Sequence, residues 1–261
     1  MPAAASKSGI ASAWGASPFG VGAGNESSRS HAFRDSTQAV AIYGRNGRTI
    51  DFGGVDAATY IAQWGSRART GDMEAAYKVF QAADVCANNN EAIPDFEGES
   101  QRAEFLHERA AVEKLCAGIT PSQIQERMSF LAMAAHAGNA DAQIDFYMEG
   151  PYGRPLSPIE GADDPAVVKW KEDALSYLKA ASGQGEPFAL ALLSSAYDVG
   201  ELVPQDAKLA LAYEVADATA RNANVEPEQL RNRFGSQMSD ADFANALQLG
   251  AQIADNCCKK R

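Results

Sequence analysis

The sequence predicts an all-α protein, built as an α-solenoid of antiparallel helix hairpins behind a disordered N-terminal arm. Three observations predict it. Apolar residues recur at three-to-four spacing in the long segments from Val55 onward, and glycines separate those segments. A pattern of alanines around a glycine also recurs along the chain. Since one hairpin cannot bury its apolar face alone, we expect neighbouring hairpins to stack.

The N-terminal region divides into two parts by composition. Residues 1–36 are rich in Ala, Ser and Gly, which predicts a disordered arm. Residues 37–54 alternate weakly around Gly44-Arg45-Asn46-Gly47, which indicates either a small hairpin or an extended segment. The helical repeat domain is expected over residues 55–258.

The helices follow in order from the apolar periodicity. A helix hairpin is predicted from Tyr60 to Ala83, broken at Gly71. The segment Thr120-Pro121-Ser122-Gln123 has the residues of a capped helix start with a first-turn proline. Helices are predicted over residues 103–115, 121–138, 140–149, 164–182, 187–199, 206–221 and 239–256.

Comparison of the chain with itself gives two alignments. The pattern Ala-x-x-Gly-x-x-x-Ala recurs, once at an offset of 47 residues, and an Ala-x-x-Tyr-x-x-Ala pattern repeats at an offset of 36. Small residues permit close helix approach, glycines turn the chain, and the tyrosines fill the space between hairpins. The residues predicted to make these packing contacts are Ala135, Gly138, Ala142, Tyr177, Ala181, Gly185, Ala189, Tyr197, Gly200, Ala210 and Tyr213.

This pattern resembles the Sel-one-like repeats, which are relatives of the tetratricopeptide repeats. The stretch ALALLSSAYDVGELVPQDAKLALAYEVA, residues 189–216, is similar to a nearly complete unit. The unit over residues 134–181 departs from the pattern by a longer loop, and residues 65–83 are more degenerate. The resemblance covers residues 60–221 and implies a tetratricopeptide-like superhelix.

The family resemblance implies a noncatalytic scaffold or adaptor for an unidentified protein or peptide, in bacterial envelope or host-contact processes. It carries over no catalytic residue. The alternative from another class is a cell-wall-associated hydrolase or accessory protein with a cleft at the loop of residues 150–164. No pair of nucleophile and base in the sequence supports that alternative.

Composition and motifs argue against several other functions. The formal charge of -11 opposes binding to nucleic acid. No apolar run has the ~20 residues of a membrane span. The histidines His31, His107 and His136 have no zinc-ligand spacing, and Gly20 to Gly24 lacks the strand and helix of a dinucleotide site. We therefore expect no cofactor and no metal.

The cysteines permit two interpretations. Cys86 and Cys116 would form a disulfide in an exported protein and remain core thiols in the cytosol. The adjacent pair Cys257 and Cys258 is expected to be free in a frayed tail. Exported relatives in the resembled family favour the periplasm or cell envelope, whereas the absence of a visible signal peptide keeps the cytoplasm open.

Three aromatic residues are candidates for partner contact. Trp170 has the helical spacing of a core residue, whereas the burial of Trp64 is not decided by its neighbours. Tyr152 lies in a Gly/Pro-rich loop and is the residue predicted to contact a partner.

Overall fold

The computed structural model describes residues 41–89, 93–154 and 163–258, and within them the protein is all-helical. The all-α prediction is confirmed there. The arm predicted for residues 1–36 lies outside the described residues. The helices are α1 (Ala57–Arg69), α2 (Met73–Asn88), α3 (Glu99–Leu115), α4 (Pro121–His136), α5 (Ala140–Glu149), α6 (Pro165–Gly183), α7 (Pro187–Val199), α8 (Ala207–Ala220), α9 (Pro227–Phe234) and α10 (Asp240–Cys258).

Short polar residues begin most of the helices by accepting backbone hydrogen bonds. Asp56, Asp72 and Asn139 each cap the helix that follows. Thr120 and Gln123 form the reciprocal capping box that starts α4, with Pro121 in its first turn. The residue types that predicted these starts therefore act through the expected hydrogen bonds.

Three glycines turn the chain between paired helices in the same way. Gly71, Gly138 and Gly185 have φ of +94°, +95° and +91°. A side chain disfavours this conformation, which explains the glycines at these recurring positions. Gly200 also has positive φ, and an added Cβ there would lie 3.1 Å from the Gln205 backbone nitrogen. Both the backbone conformation and the lack of space for a side chain therefore favour glycine at position 200.

Helices close to one another in the chain pack together, with α4 packing on α2 past α3 and α10 packing on α8 past α9. The pairs in contact include α1 with α2, α2 with α4, α4 with α5, α5 with α6, α6 with α7, α7 with α8, and α8 with α10. Their cores form one large buried cluster in the N-terminal half and another in the C-terminal half. Phe80 and Leu131 belong to the first, and Leu193 and Phe234 to the second.

Two helices differ from this arrangement. Helix α3 packs against α2 but has no fully buried residue, so its apolar positions, such as Leu106, are less covered than an amphipathic run suggests. Helix α9 was not predicted, because five of its eight residues are polar or charged. Only Leu230 and Phe234 bury side chains, and Pro227 was its one start signal.

The segment before α1 folds as an antiparallel turn. Tyr43 and Thr49 form an isolated bridge, and Gly44 N–H donates to the Arg48 carbonyl at 2.8 Å. Ile50 and Phe52 then enter the N-terminal core, where the Phe52 ring packs 5.1 Å from the ring of Tyr60. This brings the polar residues of the turn against the helices. We call residues 43–49 the arginine turn.

Candidate functional site

The arginine turn lies over a group of acidic side chains from distant parts of the chain. These acids come from α2, α5 and the start of α7, and we call them the acidic groove: Asp84, Asp141, Asp145, Glu149 and Glu186. Three of them lie on α5 at intervals of four residues, so they share one face of that helix. The opposite face of α5 buries Tyr147.

Two arginines meet two buried acids at the inner end of the groove. The Nε of Arg45 donates to Glu149 at 2.6 Å, and the Nε of Arg127 on α4 donates to Asp84 at 3.2 Å. The side chain of Glu149 is fully buried and that of Asp84 is 3% exposed. Asn88 also donates to Asp84 at 2.9 Å. Both acids are therefore held by cations from two separate elements.

Arg127 also holds the chain after α5. It donates to the carbonyls of Ile124 and Gly153, at 3.1 and 3.0 Å. A Cβ added to Gly153 would lie 2.7 Å from the Arg127 Nη2. The glycine therefore leaves room for the guanidinium, and one side chain joins α2, α4 and the loop after α5.

The middle of the groove is a hydrogen-bonded chain. Asn46 of the arginine turn donates to the Tyr77 hydroxyl at 3.0 Å, and that hydroxyl donates to Asp145 at 2.7 Å. Asp145 is completely buried, and its second oxygen has no hydrogen-bond partner among the described residues. One oxygen of the buried Asp145 is thus bound neither by Tyr77 nor by the arginine turn.

At the outer end, Arg48 binds two acids at once. Its two terminal nitrogens contact Asp141 at 3.1 Å and Glu186 at 2.5 Å. Arg48 is half exposed and both acids are about a quarter exposed, so solvent weakens these pairs relative to those at the inner end. The ion pairs of Arg48 therefore contribute less to the stability than the buried pairs at the inner end.

Burial shifts the titration of the groove acids. It raises the pKa of Asp145 to about 8, with the neighbouring charges of Asp84 and Glu149 adding to the rise. Burial, and then the charge of Asp84, raise the pKa of Glu149 to about 7. Burial also raises the pKa of Asp84, against the opposing effect of Arg45 and Arg127. At neutral pH Asp145 accordingly keeps its proton in most molecules, whereas Glu149 is close to its midpoint.

Two cavities lie on either side of the arginine turn. One, of about 470 Å³, is lined by Arg45 and Asp84 together with Val85, Phe105 and Val112 of α2 and α3. The other, of about 410 Å³, is lined by Arg48, Tyr77 and Glu186 and crosses the starts of α2, α5 and α7. The acidic groove therefore continues as a cavity on each side of the arginine turn.

The residues predicted from the repeat pattern are placed in the helix contacts. Ala135, Ala142, Ala181, Ala189 and Ala210 are fully buried. Tyr177 packs edge-on against Phe146 at 5.1 Å, and Tyr213 stacks on Tyr197 at 5.7 Å. These positions support the helices but contribute no side chain to the acidic groove.

The three aromatic candidates have different environments. Trp170 is buried, with its Nε1 donating to the Phe146 carbonyl at 3.1 Å. Trp64 is half-buried, and the Lys78 ammonium lies 3.7 Å from its ring centroid. Tyr152 is 49% exposed and donates its hydroxyl to Asp164, the N-cap residue of α6. Contact between Tyr152 and a partner stays a prediction.

The structure joins the cysteines in two disulfides. Cys86 and Cys116 are bonded with their Cα atoms 5.6 Å apart, so α2 and α3 converge at their C-terminal ends. Cys257 and Cys258 are also bonded, so the expectation of free thiols there is wrong. Both residues pack against a small cluster around Leu190 and Ala216. The two half-buried cysteines thus pack against other helices instead of lying in a frayed end.

Three further features concern metal ligands, membrane-spanning helices and the loop of residues 150–164. Among residues 41–89, 93–154 and 163–258, no group of three or more His, Cys, Asp or Glu side chains is arranged to hold a metal ion. None of the helices there combines the length and apolarity that a membrane crossing needs. The cleft of the hydrolase alternative falls partly on residues 155–162, which lie outside the described residues.

Compared with models of known protein families and with curated protein sequences, the chain matches none. The groove must therefore be interpreted from its own chemistry. Sequence reasoning missed all five acids, because charged residues are normally assigned to solvated helix faces. The spacing of Asp141, Asp145 and Glu149 was the available signal, since it places three acids in one line along α5.

Proposed function

We propose that this chain is a helical-repeat scaffold, an α-solenoid related to the Sel-one-like repeats, that binds a protein or peptide partner. The observation that carries the proposal is the packing of helices close to one another in the chain, with the same glycine conformation at Gly71, Gly138 and Gly185. Stacked hairpins of this kind provide an extended surface on which a partner can lie.

The partner surface in this proposal is the edge where the turns between paired helices meet. The cavity of about 410 Å³ at this edge is lined by residues from α2, α5 and the α6–α7 turn, including Met73, Asn139 and Gln184. Met73 is 38% exposed there. A groove that spans several hairpins suits an extended segment, which contacts each hairpin in turn.

The proposed role is noncatalytic. The acids with the most strongly raised pKa values, Asp145 and Glu149, are fully buried and contact the protein's own Tyr77 and Arg45. Raised pKa values in acids that bind structural partners are typical of buried ion networks. In this role the acids maintain the groove.

We also propose a periplasmic or envelope location, with the cytoplasm as the alternative. The pairing of Cys86 with Cys116 supports it, since disulfides persist in oxidising compartments. Thiol trapping in cells of the native host tests this directly. The proposal expects both cysteines to resist alkylation until a reductant is added, and immediate alkylation of both would contradict it.

The binding proposal is tested by cross-linked capture in the native host. The variant Met73→Arg with Gln184→Arg changes the proposed surface. The control Val199→Arg with Leu249→Arg places the same groups on exposed positions outside that cavity. We expect one protein to be enriched with the wild type and the control, and lost with the surface variant. Equal capture by all three, or no enrichment, would contradict the proposal.

A further inference from the structure

The arginine turn is attached to the helices by side chains. Its backbone hydrogen bonds among the described residues stay within the segment, from Gly44 to Arg48 and from Ile50 to Ile42. Its polar links to the helices run through Arg45, Asn46 and Arg48, while Ile50 and Phe52 just after it are buried in the N-terminal core. Side chains alone could be presented equally well by another polypeptide.

The groove is chemically matched to arginine. Glu149 accepts from the Arg45 Nε, and Asp141 with Glu186 receives both terminal nitrogens of Arg48. The planar guanidinium presents several donors in fixed directions, and this fits carboxylates from two helices better than an ammonium group does. The spacing in the occupant is Arg-x-x-Arg, with Asn46 reaching Tyr77 between the two arginines.

Two features indicate that the present occupant leaves part of the site unused. The buried Asp145 has an oxygen without a hydrogen-bond partner among the described residues. The cavities of about 470 and 410 Å³ extend the groove past Arg45 on one side and past Arg48 on the other. A longer segment could fill both cavities while placing its arginines where the turn now has them.

We propose that the acidic groove is a recognition site for an Arg-x-x-Arg segment of a partner protein, and that the chain's own arginine turn occupies it in this structure. The inference rests on the proposed scaffold function and names the partner's chemistry. Because the turn is tethered next to the groove, its effective concentration is of the order of millimolar. A partner segment must displace it, so the turn sets a threshold for binding.

The test uses the full-length protein and a synthetic peptide of residues 41–52. Fluorescence anisotropy of the labelled peptide is measured with the wild type and with the variant Arg45→Ala, Arg48→Ala. We expect the variant to bind at least about tenfold more tightly, because its groove is no longer occupied by arginines. The control variant Arg67→Ala, Arg69→Ala removes two arginines of α1 outside the groove and should behave as the wild type.

A second peptide tests the chemistry. Replacing both arginines of the peptide by lysine should weaken its binding to the Arg45→Ala, Arg48→Ala variant, since lysine cannot reproduce the paired contacts. Equal binding of both peptides, or equal binding to all proteins, would overturn the proposal. If the variant is unfolded, circular dichroism with added peptide replaces anisotropy. Recovery of helix supports the site, and no recovery overturns it.

The occupant could also be a second copy of this chain. Analytical ultracentrifugation of the wild type decides this, and a dimer abolished by the Arg45→Ala, Arg48→Ala change would overturn the assignment to a different protein. Failure here is separable from failure of the scaffold proposal. If the peptide binds nowhere while the cross-linked partner is still captured through Met73 and Gln184, the scaffold function stands and this inference falls.

Discussion

The N-terminal and C-terminal halves of the helical domain bury their interfaces in different ways. In the C-terminal half, α6, α7 and α8 meet through fully buried apolar side chains such as Leu178, Leu193 and Leu211. In the N-terminal half, α2, α4 and α5 also enclose Asp84 and Glu149. Apolar contacts gain stability from buried area, whereas buried charges require every partner to be present. The first half should respond to charge and pH, and the second to volume.

The largest effect should come from removing the cation shared by the buried acids. Arg127→Ala leaves Asp84 and Glu149 with less compensation, and losing one partner of a buried pair costs about 3–5 kcal/mol. Urea denaturation measures it. Lys169→Ala, which removes the exposed i,i+4 partner of Asp173, is the control and should leave the free energy of unfolding nearly unchanged. Equal losses of unfolding free energy in Arg127→Ala and in the control would contradict a larger contribution from the buried ion pairs.

The next effect distinguishes the two disulfides. Cys86–Cys116 closes a loop with a sequence separation of 30, and opening a loop of that size costs about 3 kcal/mol. Cys257–Cys258 joins neighbours and constrains almost no chain. Thermal unfolding of Cys86→Ser, Cys116→Ser should shift far more than that of Cys257→Ser, Cys258→Ser. Hydrogen exchange should rise first in α3. Similar shifts for both variants would contradict this account.

The C-terminal half is tested by adding a methyl group. In Gly250→Ala the new Cβ would lie 2.6 Å from the Ala212 carbonyl oxygen and 2.7 Å from the Val215 Cβ. Overpacking of this kind costs about 1–3 kcal/mol. Gly183→Ala meets no atom within 4 Å and is the matched control. Calorimetry should show a lower unfolding temperature for the first variant only. An unchanged Gly250→Ala protein would refute the close approach of α8 and α10.

The pH dependence of the stability should also distinguish the two halves. Because the pKa of Asp145 is raised to about 8, the folded protein keeps a proton that the unfolded chain releases from about pH 4 upward. Stability therefore falls as pH rises through this window, by at most ~1.4 kcal/mol per pH unit for one group. Asp145→Asn should reduce the fall in melting temperature between pH ~5.5 and ~8.5, whereas Asp240→Asn, at an exposed position, should preserve it.

A pH dependence that survives Asp145→Asn unchanged would assign the effect to other groups. Glu149, whose pKa is raised to about 7, would then be the next acid to replace. If Asp145→Asn and Asp240→Asn both abolish the pH dependence of the melting temperature, exposed charged groups control it.

The sequence predicted the helices well because their signals are local. Apolar spacing, the Thr120 cap and the recurring glycines each act within a few residues of where they stand. The short α9 was missed because two buried residues, Leu230 and Phe234, are too few to establish a period. The bond between Cys257 and Cys258 was missed because packing of the last turn of α10 depends on distant residues.

The acidic groove could not be predicted in the same way. Arg45 and Glu149 are 104 residues apart, and Arg48 and Glu186 are 138 apart. Neither pair has a local pattern, and the burial of an acid is decided by which helix covers it. The line of acids along α5 indicates a polar face but not a buried one. A row of acids on a helix is predicted to face solvent unless the arginines that pair with it are known.

The central claim is that paired charges attach the arginine turn to the helices, and a double-mutant cycle on Arg45 and Glu149 tests it most directly. Urea unfolding of Arg45→Met, Glu149→Leu and the combined variant gives the coupling energy. We predict coupling of about 0.5–3 kcal/mol, with the combined variant more stable than the two single losses together imply. Strictly additive losses would contradict the claim, because each side chain would then act without the other.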